Sequence, residues 1–205
     1  MDNPAAGQIL ALYQRHADAF LRLRSRELFE KPWLDKFLAV VGQTGHILDM
    51  GCGTGQPIAG YFIARGYSLT GVDGSRAMLA HARAAFPDHR WLHQDMRKLA
   101  FDETFAGLLA WDSFFHLTAE DQRAMFPLFA QHCHPGSALM FTSGPHHGVA
   151  MGQFEGEPLF HASLAPEEYR TLLHENNFTV IEMMAEDPDC TGHTIWLAKK
   201  IARPQ

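Results

Sequence analysis

The sequence predicts an α/β protein built on a doubly wound, mostly parallel sheet, and three observations carry that prediction. Residues Ile47-Leu48-Asp49-Met50 form a short apolar run that enters Gly51-Cys52-Gly53-Thr54-Gly55, with glycines at alternate positions. Glycine suits such a loop because it adopts positive φ and lets a ligand approach the backbone. A second apolar run, Ser68 to Val72, closes on Asp73, eighteen residues after Gly55. That is where a doubly wound sheet places an acid against a ribose. From Ile47 onward, strand-like and helix-like segments alternate, the signature of a parallel sheet covered on both faces.

Each element has its own justification. Residues 5–41 read as helical, with Ile9, Leu12, Tyr13, His16 and Phe20 on one stripe and Leu28, Trp33, Leu34, Phe37 and Leu38 on another. Strands are expected at 46–50, 68–73, 89–93, 105–111 and 137–143, with helices near 57–65, 75–85 and 119–132. Pro57 fits the first turn of the first of these helices, where no amide donor is needed, and Ser75 is placed to cap the second. A last helix starts near Pro166-Glu167-Glu168 and ends by Asn176-Asn177. Closing strands at 178–185 and 193–199 are joined through Asp187-Pro188-Asp189-Cys190-Thr191-Gly192, whose residues suit a turn. Residues 144–165 read as a long loop at the carboxyl edge of the sheet, with aromatic and ionisable groups, and such loops tend to carry function. The expected organisation is a helical cap over 1–42 and one globular unit over 43–205.

Composition narrows the function. The 205 residues suit one domain. Seventeen Lys and Arg against 23 Asp and Glu give a net charge of −6, which argues against a nucleic-acid substrate. Cys52, Cys133 and Cys190 are few and unpatterned, as expected for free thiols in a reducing cytoplasm. Neither a signal-peptide pattern nor an apolar run long enough to span a bilayer is visible, so no membrane is expected.

The glycine loop discriminates among nucleotide cofactors. A P-loop needs Lys and then Ser or Thr after its last glycine, and Gln56-Pro57 stand there. The dinucleotide fingerprint needs Gly or Ala where this chain has Gln56 in one frame and Ile58 in the other. Instead, acid-x-Gly-x-Gly-x-Gly over Asp49 to Gly55 resembles the first motif of class I S-adenosylmethionine-dependent methyltransferases and matches it at every defining position. The resemblance runs from about Ile47 to Lys199. It implies a Rossmann-like, seven-stranded sheet with one antiparallel edge strand, and S-adenosyl-L-methionine as cofactor.

The resemblance also assigns residues. Asp73 is expected to accept from both ribose hydroxyls, with Gly74 beside it and Met78 against the adenine. Asp95 and the Met96 amide are expected to clamp the adenine edge. Asp49 is expected to organise the loop or meet the methionine amino group, near Gly51, Cys52, Gly53 and Gly55. Trp111 is expected where cofactor and acceptor meet, and Tyr13 is available to the cofactor's carboxylate, as are Arg22 and Arg26.

On the acceptor side, Asp112-Ser113-Phe114 lacks the two prolines used by relatives that methylate planar amines in nucleic acids or proteins. His116 is the candidate for a polar role in the chemistry, as base or orienting group. His146, His147, Phe154 and His161 are expected to help line the acceptor pocket. No metal-ligand spacing occurs, so no metal is expected. The reading is methyl transfer to an O, N, S or C atom of a small organic metabolite, by a monomer or homodimer. A NAD-binding oxidoreductase, which would share Asp73 but not the glycine spacing, and a non-catalytic nucleoside-binding module are the alternatives.

Overall fold

The computed structural model describes residues 4–202. Residues 1–3 and 203–205, the outer ends of the expected cap and domain, lie outside the described residues. Three helices open the chain: α1 (Ile9–Arg15), α2 (Ala17–Leu23) and α3 (Lys31–Val41). The continuous helical stretch expected over 5–41 is therefore interrupted. Arg24 leaves α2 with extended backbone, and its guanidinium meets the fully buried carboxylate of Glu30 just before α3. That buried ion pair and Pro32 in the first turn of α3 break the periodicity.

The alternation follows as expected: β1 (His46–Met50), α4 (Ile58–Ile63), β2 (Ser68–Asp73), α5 (Arg76–Ala85), β3 (Arg90–His93), β4 (Phe105–Ala110), α6 (Ala119–Gln131) and β5 (Cys133–Ser143). After these come β6 (Gly148–Phe154), β7 (Glu157–Ser163), α7 (Pro166–Glu175), β8 (Phe178–Asp187) and β9 (His193–Lys200). Seven strands form one sheet in the order β3-β2-β1-β4-β5-β9-β8. β1 to β5 run parallel, and β9, the reversed strand, pairs antiparallel with both β5 and β8. The order reverses between β1 and β4, and in such sheets the crevice above that switch point is where ligands bind.

Strand periodicity sorts the core onto two faces. Ile47, Leu109 and Trp111 join α3 and α4 through Phe37 and Phe62 on one side. Leu48, Met50, Leu108 and Ala110 join α6 and α7 through Phe126, Phe129 and Tyr169 on the other.

The segment 144–165 is not a loop. It is the hairpin β6–β7, a separate two-stranded sheet whose register runs from Gly148↔Ser163 to Phe154↔Glu157. Its two-residue turn puts Glu155 at φ 50° and Gly156 at φ 81°, both left-handed, as the tightest hairpin turns require. One face of β7 supplies Phe160 and Ala162, which bury against Ile9 of α1. The outward residues of β6, including Val149 and Met151, are exposed, so the strand lacks the strict apolar alternation that would have marked it.

Candidate active site

The glycine loop is built by close approach. Gly51 has φ 76°, and a Cβ placed on it would lie 2.3 Å from the Cβ of Ser113, so the chain passes here only without a side chain. The Gly51 and Cys52 amides donate to the Val72 carbonyl at 2.8 and 3.1 Å, which ties the loop to β2. Asp73 completes the tie. One carboxylate oxygen accepts from the Gly53 amide at 2.9 Å and the other from the Ser75 amide at 2.7 Å. Burial raises the Asp73 carboxyl above its ordinary range, against the lowering effect of these two amides. Ser75 caps α5 through the Met78 amide at 3.2 Å.

A cleft of about 590 Å³ opens above the switch point. Of the residues expected in the site, Gly51, Gly53, Asp73, Gly74, Met78, Asp95, Met96, Tyr13 and His116 line it. Asp95 is also clasped by Arg97: burial raises its carboxyl, but the guanidinium outweighs burial and holds it below the usual range. Arg97 reaches Asp121 as well, at 3.0 Å. It is the sole lysine or arginine among the described lining residues, and both partners are acids.

The opening helices roof the cleft. Gln14 of α1 accepts from the Ser75 hydroxyl at 3.2 Å and the Ala77 amide at 3.1 Å, and Leu10 crosses so near Gly74 that a Cβ there would lie 2.5 Å away. Arg15 and His16 both meet Glu157 at the turn end of the hairpin, which holds that carboxyl down at about 2. Tyr13 turns its hydroxyl to His116 Nε2, 3.0 Å away, while His116 Nδ1 lies 2.8 Å from the Phe160 carbonyl. A carbonyl only accepts, so Nδ1 carries the ring proton; Nε2 is then bare, and Tyr13 donates to it. Burial depresses the His116 imidazole to about 4, which keeps it neutral at pH 7. Burial, together with Asp112 and Asp73, raises the Tyr13 phenol.

Several expected residues stand elsewhere. Trp111 does not line the cleft; strand alternation turns it to the α3 and α4 face, where it stacks on His193 with centroids 5.5 Å apart. Asp49 is buried behind the loop, and burial with the nearby Asp73 charge pushes its carboxyl up to about 7. The thiol of Cys52 points back toward Gly71, and a Cβ on Gly55 would meet Trp91 at 3.0 Å, so both face the sheet. His146 and His147 are exposed in the turn before β6. Phe154 packs on Tyr13, His16 and Phe20, and His161 on His116 and Phe115, one layer back from the cleft surface.

Sequence reasoning missed a pair. Asp112 lines the cleft with φ 48°, and its Oδ1 lies 2.8 Å from His193 Nε2. Burial lowers the His193 imidazole, but the Asp112 carboxylate outweighs it, so the net shift is upward. Eighty-one residues separate the two, and no local pattern joins them.

Comparisons with known proteins agree with this geometry. A family model described as a methyltransferase domain matches residues 47–136. The YqeM protein of Bacillus subtilis (strain 168) is 31% identical over 136 residues, which cover 63% of this chain and 54% of that protein. The chain thus spans about half the length of that relative. The O-methyltransferase rstn1 of Aspergillus nomiae is 27% identical over 162 residues, covering 72% and 69% of the two chains. Among solved structures, the Burkholderia thailandensis 1,6-didemethyltoxoflavin-N1-methyltransferase superposes with a TM-score of 0.77 over 98% of this chain and 92% of its own, at 17% identity, and so shares the fold. With the acidic glycine loop, Asp73 and the seven-stranded order, the match places a methyltransferase domain over residues 47–136 of this chain.

Proposed function

We propose that this protein transfers a methyl group from S-adenosylmethionine to a small organic molecule held between α1, the segment after β4, and β7. The observation that carries the reading is Asp73. It lies in the cleft wall between the glycine loop and α5, and two amides fix its carboxylate while leaving lone pairs for neighbouring hydroxyls.

The residues fit the cofactor. A cleft of about 590 Å³ falls in the range of small-molecule sites. Gly53 and Gly74 present bare backbone to it, and Arg97 is already occupied by Asp95 and Asp121, so the described lining residues offer no free lysine or arginine to a phosphate. Asp73 would take the ribose, Met78 and Met96 the adenine faces, and Asp95 its amino edge. Asp49, its carboxyl pushed up by burial and by Asp73, would stand behind the loop toward the amino-acid end.

The bound cofactor supplies an electrophilic methyl on a sulfonium. What the chain must do is align a nucleophile and exclude water. α1 and α2 do the excluding: Leu10, Tyr13 and Phe20 cover the loop, and Gln14 and the Glu157 ion pairs hold them there. We take these two helices as the cap, since α3 packs beneath β4 and β5. His116 acts through Tyr13, because both its ring nitrogens are engaged.

The acidic balance favours a small acceptor over nucleic acid. Among the described residues no helix is long and apolar enough to cross a membrane. The three free cysteines support a cytoplasmic setting. Calorimetry with S-adenosylhomocysteine and with NADH tests the reading: binding of NADH alone would overturn it. A metabolite screen with mass detection of methylated products identifies the acceptor.

A further inference from the structure

Hydrogen-bond bookkeeping at the Asp112 end of the cleft points to one class of acceptor. Tyr13 gives its hydroxyl proton to His116 Nε2, which leaves only oxygen lone pairs toward the cleft. His116 gives its Nδ1 proton to the Phe160 carbonyl. Ser113 donates its hydroxyl proton to the Met50 carbonyl at 2.7 Å, so its exposed side also only accepts. Asp112, in the next position, is a carboxylate whose Oδ1 is held by His193; Oδ2 has no bond among the described residues. Tyr13, Ser113 and Asp112 therefore offer lone pairs here, and none of the three, nor His116, offers a spare proton.

His193 explains why Asp112 is so placed. Its Nδ1 lies 2.7 Å from the Cys190 carbonyl and its Nε2 2.8 Å from the Asp112 carboxylate. The Thr191 hydroxyl also lies 2.9 Å from Nδ1. A carboxylate only accepts, so Nε2 carries a proton toward Asp112, and the Asp112 charge outweighs burial in raising the imidazole. The ring is held between Trp111 and Phe29, with centroids 5.5 and 5.9 Å away. The Asp112 amide donates to Thr142 Oγ1 at 2.9 Å. A left-handed aspartate fixed at its amide and at one oxygen directs the other oxygen in one way only.

Building on the methyltransferase reading, we propose that the acceptor is a small primary or secondary amine, bound as an N–H donor by Asp112 and Tyr13, with His193 as the positioning residue for Asp112. A carboxylate or phenolate would meet these lone pairs, and the described lining residues include no free arginine or lysine to offset them. An ammonium satisfies those lone pairs with its own protons. Before transfer one N–H proton passes to Asp112. The nitrogen lone pair then forms the N–C bond while the C–S bond breaks with its electron pair on sulfur. Asp112 releases its proton to water, and the product amine keeps the charge.

The test uses the full chain with and without S-adenosylhomocysteine, and three probes of one shape: benzylamine, benzyl alcohol and benzoate. Calorimetry should find benzylamine bound at least about tenfold more tightly than the other two, since one charged hydrogen bond separates them. Asp112→Asn keeps a residue that tolerates positive φ but removes the charge; it should weaken benzylamine about tenfold while S-adenosylhomocysteine affinity holds. Tyr13→Phe, which leaves the strained backbone untouched, should weaken benzylamine about threefold and serves if the first variant does not fold. Benzoate or benzyl alcohol binding as tightly as benzylamine to the native chain overturns the proposal. So does an unchanged preference in both variants. Failure of the native chain to bind S-adenosylhomocysteine would strike the methyltransferase reading instead, because amine preference is also read without it.

Discussion

The Gly53 amide donates to Asp73 Oδ2 at 2.9 Å, so the loop after β1 and the acid that ends β2 form one unit. The carboxylate thus shapes the glycine loop as well as offering lone pairs to a ribose.

Replacing that acid should have two effects. Asp73→Ala should weaken S-adenosylhomocysteine binding by roughly 2–4 kcal/mol, because two hydroxyls lose partners and the loop loses its anchor. Asp95→Ala should cost roughly 1–2 kcal/mol, since the Met96 backbone amide remains. Calorimetry on both variants checks the order; equal affinities for native protein and Asp73→Ala would place the ribose elsewhere.

Gly51→Ala tests the close approach beneath the cleft. With φ at 76° and Ser113 Cβ 2.3 Å from the added carbon, the loop must shift. We expect a stability loss of roughly 1–3 kcal/mol in denaturant titrations, together with weakened cofactor binding. Gly66→Ala, also at positive φ but with open space around it, separates strain from collision and should bind cofactor normally.

Two buried groups titrate in one pH window with opposite signs. His116 has its folded pKa lowered to about 4, so the unfolded chain binds its proton first, and stability falls as pH drops from about 6.5 to 4. Asp49 has its folded pKa raised to about 7, so the folded chain holds its proton longer, and stability falls as pH rises from about 4 to 7. Each effect is on the order of 3 kcal/mol at full extent. The native profile should therefore be shallow. His116→Gln should expose the Asp49 slope, with stability falling as pH rises, and Asp49→Asn should expose the reverse. Melting curves from pH 4 to 8 that show the same slope in both variants would contradict this assignment.

Removing residues 1–23, through α2, should leave the sheet folded while cofactor release accelerates. The argument is mechanical: α1 reaches the body through Gln14, Tyr13, the Glu157 ion pairs and the packing of Ile9 on the β6–β7 hairpin, contacts that lie outside the seven-stranded sheet. Stopped-flow release of S-adenosylhomocysteine at an unchanged rate would show that these helices are not the cover.

Much of this protein was legible in its sequence because local chemistry dictates it. The run from Asp49 to Gly55 needs positive φ at Gly51, Gly53 and Gly55, and only glycine adopts that cheaply, so the loop announced itself. Asp73, Ser75 and the α/β alternation were equally readable, since strand and helix periods are set over a few residues. The rest belongs to tertiary structure. The hairpin β6–β7 escaped notice because its first strand is largely exposed and its stability comes from Phe160 and Ala162 meeting Ile9, far away in sequence. Trp111 was misplaced because one residue of strand phase decides which face a side chain joins. Asp112 and His193 became a pair only when the reversed strand β9 brought residue 193 beside the end of β4. The proton on His116 was settled by the carbonyl of Phe160. Such long-range contacts leave no local trace, because they depend on which strands lie together and on which side each residue faces.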